Sequence, residues 1–562
     1  MKIFFILVSI SFGLVSFVSD LFAQSGQIED EIKRYCSDLP FSFPKLTAPS
    51  FPENEFNIID FGAVGNGATI NTEIFREVID SCFNSGGGKI IVPAGLWLTG
   101  PIVLKSNINL HLERGAHIQF TDDFNDYPLI KTGYRTEEQY DCISPVYGRD
   151  LQNIAISGEG IIDGAGEAWR PVKKSKLTAS QWRNLVSSGG VVDKNNLWWP
   201  TEQAMNAFAQ LEKLKESGKE VTREDYLAVR DFMRPNMIVL VNCKNVLLEG
   251  VTFQNSPAWN IHPLMCENLI VRNIKVRNPW YSSNGDGIDI ESCKNVILYN
   301  NSFDVGDDAI CIKSGKNEFG RKRGIPTENI VIADCIVYHG HGGFTIGSEM
   351  SGGVKNIKVN SCNFIGTDVG LRFKSTRGRG GVVENIFISN IYMKDIATSA
   401  INFNLYYGGK APADVEFSQG SPENKIIAAD ESTPSFRNLY LDNIYCKGAR
   451  DAVVLQGLPE MPLQNIELKN LVMTTEKGIS MFDVDGVKID NAQIYTSGDP
   501  LFNIDQTKNV VLSNIHFQKD LPVFMILNGN LTNNIKIQQT KLSSEDKIQF
   551  GDNVGKNILK IE

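Results

Sequence analysis

A short phrase recurs eleven times between Lys244 and Leu542: a polar residue, Asn or Gly, an aliphatic residue, any residue, and a second aliphatic residue. The copies begin at Lys244, Glu267, Lys294, Glu328, Lys355, Glu384, Arg437, Gln464, Asp485, Lys508 and Asn533. Most successive copies lie 21 to 34 residues apart, a period typical of a solenoid. The two-residue alternation indicates strands. Because one unit cannot bury its own apolar face, we expect the units to stack as a parallel β-helix.

One interval in this series is longer than the rest. Asn385 and Asn438 are separated by enough chain for either two turns of the solenoid or one insertion. The remaining regularity favours a single elongated domain over most of the 562 residues. Such a domain presents one long groove, which suits a polymeric ligand.

The net charge limits the classes of partner. The chain carries a formal charge of −10, with 42% hydrophobic and 21% charged residues, as is ordinary for a folded soluble protein. A negative surface argues against non-specific nucleic-acid binding, so we expect no nucleic-acid partner. An acidic polymer could still bind a locally basic groove.

The N-terminus has the pattern of a secretory signal. Lys2 precedes an apolar run from Ile3 to Val18, and the small Ala23 offers a cleavage point. We therefore expect residues 1–23 to be a signal peptide and the protein to be periplasmic or secreted. The alternative is an uncleaved membrane anchor. No further membrane span is expected.

Three segments depart from the strand pattern. Residues 24–50 form a polar, Pro-containing leader ahead of a β-helix domain over residues 51–562. A helix is expected to follow Asn71, a candidate N-cap, and to plug the open end of the solenoid. Its apolar face consists of Ile74, Phe75, Val78, Ile79 and Cys82.

The third departure is an insertion at about residues 165–234. Thr201 and Thr222 are candidate N-caps of two short helices, and Asp225 stands three residues after Thr222. The insertion either closes one end of the groove or decorates the surface without touching a ligand.

The ten cysteines follow the repeat, since Cys243, Cys266 and Cys293 each stand two residues before its Asn or Gly. Disulfides or a metal site are the alternatives to a column of buried thiols. No paired C-x-x-C spacing occurs, so zinc is not expected, and no metal or organic cofactor is implied.

Six segments align as one strand column: 259–263, 287–290, 309–313, 344–348, 371–375 and 401–405. The inward residues would be Ile261, Ile288, Ile310, Ile346, Phe373 and Phe403. Alternation then places His262, Asp289, Cys311, Lys313, Arg372, Lys374, Asn402 and Asn404 on the outward face. A polar outward stripe of this kind is either a binding surface or an ordinary solvated face.

A cluster of carboxylates precedes two of these strands. Asp286 and Asp308 would be lateral neighbours roughly 5 Å apart, with Asp307 beside them. Three carboxylates so close cannot all ionise freely, so at least one pKa should rise. One protonated acid beside one ionised base is the arrangement that a glycosidase needs, whereas Asp-rich turns are the alternative interpretation.

Other polar residues fall in the same column. Gly residues flank His341 and let it approach a ligand closely. Arg372 and Lys374 are fixed cations that suit a substrate carboxylate, with Arg able to bind it through two hydrogen bonds. Weaker substrate-binding candidates are Lys313, His262, Arg377 and Tyr407.

Four motifs occur in order: N-G-D-G at 284–287, G-D-D at 306–308, G-H-G at 340–342 and R-F-K at 372–374. They resemble those of the polygalacturonase family, glycoside hydrolase family 28, which commonly shows N-T-D, G/Q-D-D, G-H-G and R-I-K. The departures are Gly285 for Thr and Phe373 for Ile, and both spare the polar residues. The resemblance extends over about residues 55 to 480, its wider context resembles bacterial and plant members, and the chain looks like a bacterial exo-polygalacturonase.

The resemblance implies an all-β, right-handed single-stranded parallel β-helix, the pectin lyase-like solenoid, that hydrolyses α-1,4-galacturonide bonds of pectin with inversion. It implies Asp307 as the general acid and Asp286 with Asp308 as the groups that orient and deprotonate water. His341 would tune the acid, while Arg372 and Lys374 would bind the sugar carboxylate. An inverting enzyme needs acid and base about 6.5–9.5 Å apart, which Asp286 and Asp307 could provide.

Several readings remain open at this point. The insertion favours exo over endo action, because it could block the groove past one subsite. The substrate could instead be rhamnogalacturonan or another branched pectin. A pectin lyase usually needs an acid cluster for calcium and an Arg base, which we cannot place in this sequence. A non-catalytic β-helical polysaccharide-binding protein would not need three Asp. We expect a monomer.

Overall fold

The computed structural model describes residues 26–132, 139–408, 427–542 and 547–562. This chain folds as an all-β, right-handed parallel β-helix. Its described strands form two long parallel sheets, called sheet A and sheet B, together with a three-stranded and a two-stranded sheet. The predicted signal peptide at residues 1–23 lies outside the described residues.

Sheet A contains 24 of the described strands, in two ladders that merge near residue 354. These strands are β1 (Glu55–Asn57), β2 (Asn66–Ile70), β3 (Gly88–Val92), β4 (Gly95–Thr99), β6 (Ile108–Leu112), β7 (Ala116–Phe120), β11 (Gln152–Gly158), β12 (Ile161–Asp163), β17 (Lys244–Glu249), β18 (Thr252–Gln254), β20 (Glu267–Arg272), β21 (Lys275–Arg277), β23 (Lys294–Tyr299), β24 (Ser302–Asp304), β26 (Thr327–Ala333), β27 (Ile336–His339), β29 (Val354–Ile365), β31 (Val382–Lys394), β33 (Ser435–Lys447), β35 (Leu463–Thr475), β37 (Val484–Thr496), β39 (Lys508–His516), β41 (Asn533–Gln538) and β43 (Leu559–Ile561).

Sheet B contains 14 of the described strands, and the remaining five lie in the small sheets. The strands of sheet B are β5 (Ile102–Val103), β10 (Val146–Arg149), β16 (Ile238–Val241), β19 (Ile261–Leu264), β22 (Ile288–Glu291), β25 (Ile310–Lys313), β28 (Gly342–Ile346), β30 (Val369–Lys374), β32 (Ser399–Asn404), β34 (Asp451–Gln456), β36 (Lys477–Phe482), β38 (Phe502–Asp505), β40 (Met525–Asn528) and β42 (Ile548–Phe550). The others are β8 (Leu129–Thr132), β9 (Gln139–Cys142), β13 (Val172–Lys173), β14 (Val191–Val192) and β15 (Leu197–Trp199).

The recurring phrase is confirmed as the structural unit of the solenoid. The first residue of each copy pairs in sheet A with the first residue of the following copy, from Lys244 with Glu267 through Lys508 with Asn533. Glu384 pairs directly with Arg437. The long interval after Asn385 is therefore one insertion and not two turns, and residues 409–426 within it lie outside the described part.

The Asn of the phrase makes the corner of each coil. Asn245, Asn268 and Asn295 all have φ near +60°, in the left-handed region that Asn tolerates better than most residues. Each side-chain amide donates to the Asn Oδ1 of the coil before it, over 3.1 to 3.2 Å. The corner is thus turned and hydrogen-bonded by one residue type, after which the aliphatic pair enters the strand and faces the core.

The predicted column of sheet B is confirmed in face but needs a correction in register. Ile261, Ile288 and Ile310 are paired as expected, but the partner of Ile310 is Phe344. Ile346 pairs with Ile312, so the later segments are shifted by two residues. The cause is the length of the connecting turns. A two-residue shift preserves alternation, so every residue keeps its predicted face.

The capping helix is α2 (Thr72–Asn84), and it buries Phe75, Val78, Ile79 and Cys82 as expected. Asn71 occupies the N-cap position without a capping hydrogen bond from its side chain. Its amide instead holds the preceding loop, donating to the carbonyls of Val64 and Thr69.

The insertion contains three helices: α3 (Ala179–Ser187), α4 (Glu202–Glu216) and α5 (Arg223–Leu227). Thr201 and Thr222 cap the second and third as predicted, and Asp225 completes a capping box with Thr222. Helix α3 was not predicted from the sequence, although it begins with a capping box of Thr178 and Gln181. One more helix, α6 (Asn317–Arg323), lies between β25 and β26.

The leader is more ordered than its polar composition indicates. Residues 26–36 are helical, and we call this helix α1. Ile28, Ile32 and Leu46 pack against outward apolar side chains of sheet A, including Ile270 and Ile297. The boundary predicted at residue 51 therefore separates two segments that share a buried apolar cluster.

All ten cysteines are free, and nine of them are buried. Cys266 and Cys293 stack on neighbouring coils, with the Cys266 amide donating to the Cys293 sulfur at 3.3 Å. The thiol column is therefore core packing. In the described part of the chain, no helix has the length and apolarity needed to cross a bilayer.

Candidate active site

The predicted polar residues lie in the turns that connect strands of sheet A to the following strands of sheet B. Asp286 lies between β21 and β22, Asp307 and Asp308 lie between β24 and β25, and His341 lies between β27 and β28. Backbone hydrogen bonds stack these turns, since the Gly287 amide donates to the Asp308 carbonyl at 2.9 Å. The solenoid thus places residues 20 to 35 positions apart in sequence on adjacent turns.

Asp308 is a buried anion between two cations. Its Oδ1 accepts from Arg372 at 2.9 Å, and its Oδ2 accepts from Lys374 at 2.6 Å. Burial alone would favour the neutral acid, but the charges of Lys374 and Arg372 outweigh it. They hold the pKa of Asp308 far below its usual range, so this carboxylate remains ionised.

Asp286 has the opposite electrostatic environment. Its carboxylate lies on the coil next to Asp308, and atoms of Asp286, Asp308 and Cys311 all lie within 4.8 Å of one another. Burial, followed by the charge of Asp289, raises the pKa of Asp286 well above its usual value. Its Oδ1 is buried and accepts no hydrogen bond from the described residues. The predicted rise of at least one pKa is therefore found at Asp286.

Replacing Asp286 with Asn should stabilise the protein at neutral pH. A raised folded-state pKa means that the contribution of Asp286 is fully present below the unfolded pKa and is lost as pH rises through the folded pKa. Asn removes this loss, so we expect a gain of roughly 1–3 kcal/mol, the usual cost of an uncompensated buried polar group. Urea unfolding at pH 5 and pH 8 measures the gain, which should be larger at pH 8.

The matched control is Asp304→Asn, because Asp304 is an exposed carboxylate at the end of β24. It should leave unfolding unchanged at both pH values. A loss of stability in Asp286→Asn that grows with pH would contradict the electrostatic assignment.

Asp307 is partly exposed and makes three contacts. His341 Nδ1 lies 3.2 Å from its Oδ1, and the backbone amides of Asp308 and Asn284 donate to its two oxygens at 3.0 and 3.2 Å. Burial opposes ionisation of Asp307, but the hydrogen bond from His341 outweighs it, so the pKa of Asp307 is lowered. In the substrate-free protein the contact with His341 thus favours the ionised form of Asp307.

His341 has two further neighbours besides Asp307. Its Nε2 lies 3.5 Å from Asp368 Oδ2 and 3.4 Å from the ammonium of Lys176, which belongs to the insertion. Both of its ring nitrogens are therefore in contact with charged groups. The ring itself is about one third exposed, so it faces the surface of the site.

Arg372 and Lys374 have an aromatic neighbour. The Lys374 ammonium lies 4.9 Å from the ring centre of Tyr407, and the Arg372 guanidinium lies 5.9 Å from it. Tyr407 is 40% exposed, so its ring borders the site. Arg377, by contrast, makes a bidentate ion pair with the buried carboxylate of Glu460, which holds the loop that follows β30.

Two predicted substrate ligands are placed elsewhere. His262 is fully buried, and its ring nitrogens contact Asn236 at 3.0 Å and Glu291 at 2.9 Å. Lys313 is 3% exposed and contacts Asp289 at 3.4 Å and Glu349 at 3.2 Å. We expected both side chains to contact substrate. Instead they are buried, because other segments of the chain cover this part of the outward face of sheet B. We assign both to the support beneath the site.

Sequence reasoning also missed residues at the site. Lys176 and Arg234 both belong to the insertion, and Arg234 donates to the Ser283 carbonyl at 2.9 Å and to Asn284 Oδ1 at 3.0 Å. Asp368 lies in the turn before β30. The insertion has no repeat that would align it with the strand column. The signal available in the sequence was the basic run at residues 173–176.

Among the described residues, one group has acidic and sulfur ligand atoms close enough together to bind a metal ion, namely Asp286, Asp308 and Cys311. Both oxygens of Asp308 are already paired with Arg372 and Lys374. A metal ion would have to displace these permanent charges. We therefore treat this group as part of a carboxylate site.

The comparisons with known proteins agree with this geometry. A sequence profile described as glycosyl hydrolases family 28 matches residues 229–428. A curated probable polygalacturonase of Vitis vinifera is 27% identical over 76% of this chain and 76% of its own. The exo-poly-alpha-D-galacturonosidase of Dickeya chrysanthemi is 30% identical over 62% of this chain and 57% of its own.

A solved structure extends the likeness to nearly the whole chain. The hyperthermoactive exopolygalacturonase from Thermotoga maritima is 30% identical, and the match covers 92% of this chain and 97% of that one with a TM-score of 0.58. The profile covers the turns with Asp286, Asp307, Asp308 and His341. This chain is a polygalacturonase-type glycosidase that belongs to the glycosyl hydrolases of family 28.

Proposed function

We propose that this protein hydrolyses α-1,4-galacturonide bonds of de-esterified pectin with inversion and releases residues from a chain end. One observation carries the proposal. Three carboxylates, a histidine and two cations meet at one edge of sheet B, and the pKa of Asp286 is raised whereas those of Asp307 and Asp308 are lowered. Glycosidases need such a difference between neighbouring carboxyl groups.

Each group has a role in this scheme. Asp307 protonates the leaving oxygen, since it is the partly exposed carboxyl of the three and its Oδ1 contacts His341. Asp286 and Asp308 orient and deprotonate the attacking water, and the depressed pKa of Asp308 keeps that carboxylate ionised. The separation of about 6.5–9.5 Å expected for an inverting pair stays a prediction.

The cations fit an acidic sugar. Arg372 and Lys374 are partly committed to Asp308, but Arg372 retains exposed surface and additional N–H donors beside Tyr407. A planar guanidinium binds a carboxylate well. This supports galacturonate, rather than a neutral sugar, next to the scissile bond.

Exo action is supported by the insertion. It replaces the turn between β12 and β16, which is the same kind of turn that carries Asp286, Asp307 and His341 on later coils. Lys176 and Arg234 contact His341 and the Ser283–Asn284 turn. A long polymer passing over this face would meet the insertion beside the acid, which favours binding by a chain end.

The test is incubation with de-esterified polygalacturonate and sizing of the products over time. Monomer released from the first minutes supports exo action, whereas mixed oligomers from the start would require endo action. Product from rhamnogalacturonan and none from polygalacturonate would move the substrate to a branched pectin. The matched control is a variant without general acid, Asp307→Asn.

We also propose export of the protein as a monomer to the periplasm or the medium. The support is the apolar run at residues 3–18 followed by Ala23. N-terminal sequencing of the mature protein tests this, and we expect Gln24 as its first residue. An intact N-terminus in a membrane fraction would favour the anchor.

A further inference from the structure

Lys176 is held firmly at the edge of the site. It ends a short turn at Lys174–Lys176 that follows β13, and β13 pairs with β15 through Val172 and Trp198. On the other side, the capping box of Thr178 starts α3. The backbone is therefore anchored before and after Lys176, so the position of its side chain is built into the fold of the insertion.

The side chain reaches the histidine of the acid. Its ammonium lies 3.4 Å from His341 Nε2, and His341 Nδ1 lies 3.2 Å from Asp307 Oδ1. Among the described residues, no carboxylate lies within 4.0 Å of the Lys176 ammonium. Its closest polar contact is thus a ring nitrogen, although Asp368 lies 3.5 Å from the same nitrogen.

The chemistry of this contact selects one form of the ring. An ammonium has donors and no acceptor, so it can bond to Nε2 only if Nε2 carries a lone pair. The ring proton then lies on Nδ1 and points to Asp307. A doubly protonated ring would place two positive charges 3.4 Å apart. Asp368 favours that charged ring, but Asp368 is 44% exposed and its charge is screened by solvent.

We propose that Lys176 is a positioning residue of the acid, which keeps His341 neutral with its proton on Nδ1 so that Asp307 can carry a proton to the leaving oxygen. This rests on the proposed function of Asp307. An imidazolium would hold Asp307 as an anion, and an anion cannot act as the acid. The insertion therefore completes the active site.

The charged groups around His341 determine whether its ring gains or loses a proton more readily when Lys176 is replaced. Three charged residues face His341: Asp307 in the turn before β25, Asp368 in the turn before β30, and Lys176 in the insertion. Asp307 also feels Asp308 and Lys374. Removing the charge of Lys176 leaves the two carboxylates facing His341, so the ring protonates more readily and Asp307 stays ionised to lower pH.

The activity test compares Lys176→Met and Lys176→Arg with Lys174→Met, an exposed lysine of the same turn. For Lys176→Met we expect kcat near pH 7 to fall about tenfold, a factor that corresponds to about 1.4 kcal/mol, with KM within about twofold. The alkaline limb of the kcat profile should move to lower pH. Lys176→Arg should restore the limb, and Lys174→Met should match the wild type.

Two results would overturn the proposal. A rise in KM with unchanged kcat and an unchanged pH profile would make Lys176 a ligand of a substrate carboxylate. A uniform loss of activity at all pH values, shared by Lys176→Arg, would indicate a structural role only. Thermal unfolding of each variant shows whether it is folded.

A substrate-free measurement separates this proposal from the proposed function. The chain has six histidines, so nitrogen-15 labelling of histidine with His341→Gln for assignment gives a resolvable spectrum. At neutral pH we expect His341 to carry its proton on Nδ1 in the wild type, and to take up its second proton at higher pH in Lys176→Met. An unchanged His341 spectrum refutes the proposal even if polygalacturonate is cleaved.

Discussion

Asp307→Asn should lower kcat on polygalacturonate by about 10²–10⁴-fold, the usual contribution of a positioned general acid. Asn has nearly the same shape, and its single side-chain oxygen can accept from one of the two backbone amides, those of Asp308 and Asn284, which donate to separate oxygens of Asp307 at 3.0 and 3.2 Å. The fold should therefore persist. KM should change little, because the substrate carboxylate is bound by other groups. Steady-state kinetics on purified protein measures both constants.

The control for this substitution is Asp304→Asn, three residues earlier on the same coil. Asp304 is exposed at the end of β24, so kcat should match the wild type. Asp307→Asn with more than a tenth of wild-type kcat would mean that Asp307 is not the acid. Asp286, whose pKa is raised, would then be the next candidate for that role.

Lys374→Met should destabilise the protein by about 3–5 kcal/mol at neutral pH, the usual result of removing one partner of a buried ion pair. Asp308 is 1% exposed and would keep only Arg372. The depressed pKa of Asp308 gives the pH dependence: its contribution is present above the unfolded pKa and is lost as pH falls through the folded pKa. The destabilisation should therefore shrink in acid, as urea unfolding at pH 3 and pH 7 can measure.

Two variants control the ion-pair experiment. Lys394→Met removes an exposed lysine of β31 whose ion pair with Asp395 is solvent-screened, so it should cost little. The double variant Lys374→Met with Asp308→Asn should recover part of the stability, because the buried charge of Asp308 is removed and the remaining Arg372 is 20% exposed to solvent. Equal effects of Lys374→Met and Lys394→Met would show that the buried pair does not contribute.

The repeat predicted most of the architecture because one residue type performs two tasks at each corner. Asn245 and its equivalents adopt positive φ and also bond to the Asn of the previous coil. Where it occurs, that link helps to hold neighbouring phrases in one register. Asp286, Asp307, Asp308 and His341 precede strands of one column, so alignment of the strands was enough to bring these turns together.

Three features could not be predicted because they depend on turns and covering segments. The shift between Ile310 and Ile346 follows from the lengths of loops that carry no periodic signal. The leader packs on outward apolar residues such as Ile297, which resemble an ordinary exposed strand face in the sequence. The path of the insertion decides that Lys176 reaches His341, and no spacing in residues 165–234 specifies that contact.

Proton NMR of the first minutes of polygalacturonate cleavage is the most direct measurement of the central claim. Inversion at an α-linked galacturonide must produce the β anomer first, with the α anomer growing later by mutarotation. We expect β signals to lead in the wild type and no product from Asp307→Asn. Initial release of the α anomer would contradict the inverting water mechanism at Asp286 and Asp308, and an unsaturated product would contradict hydrolysis itself.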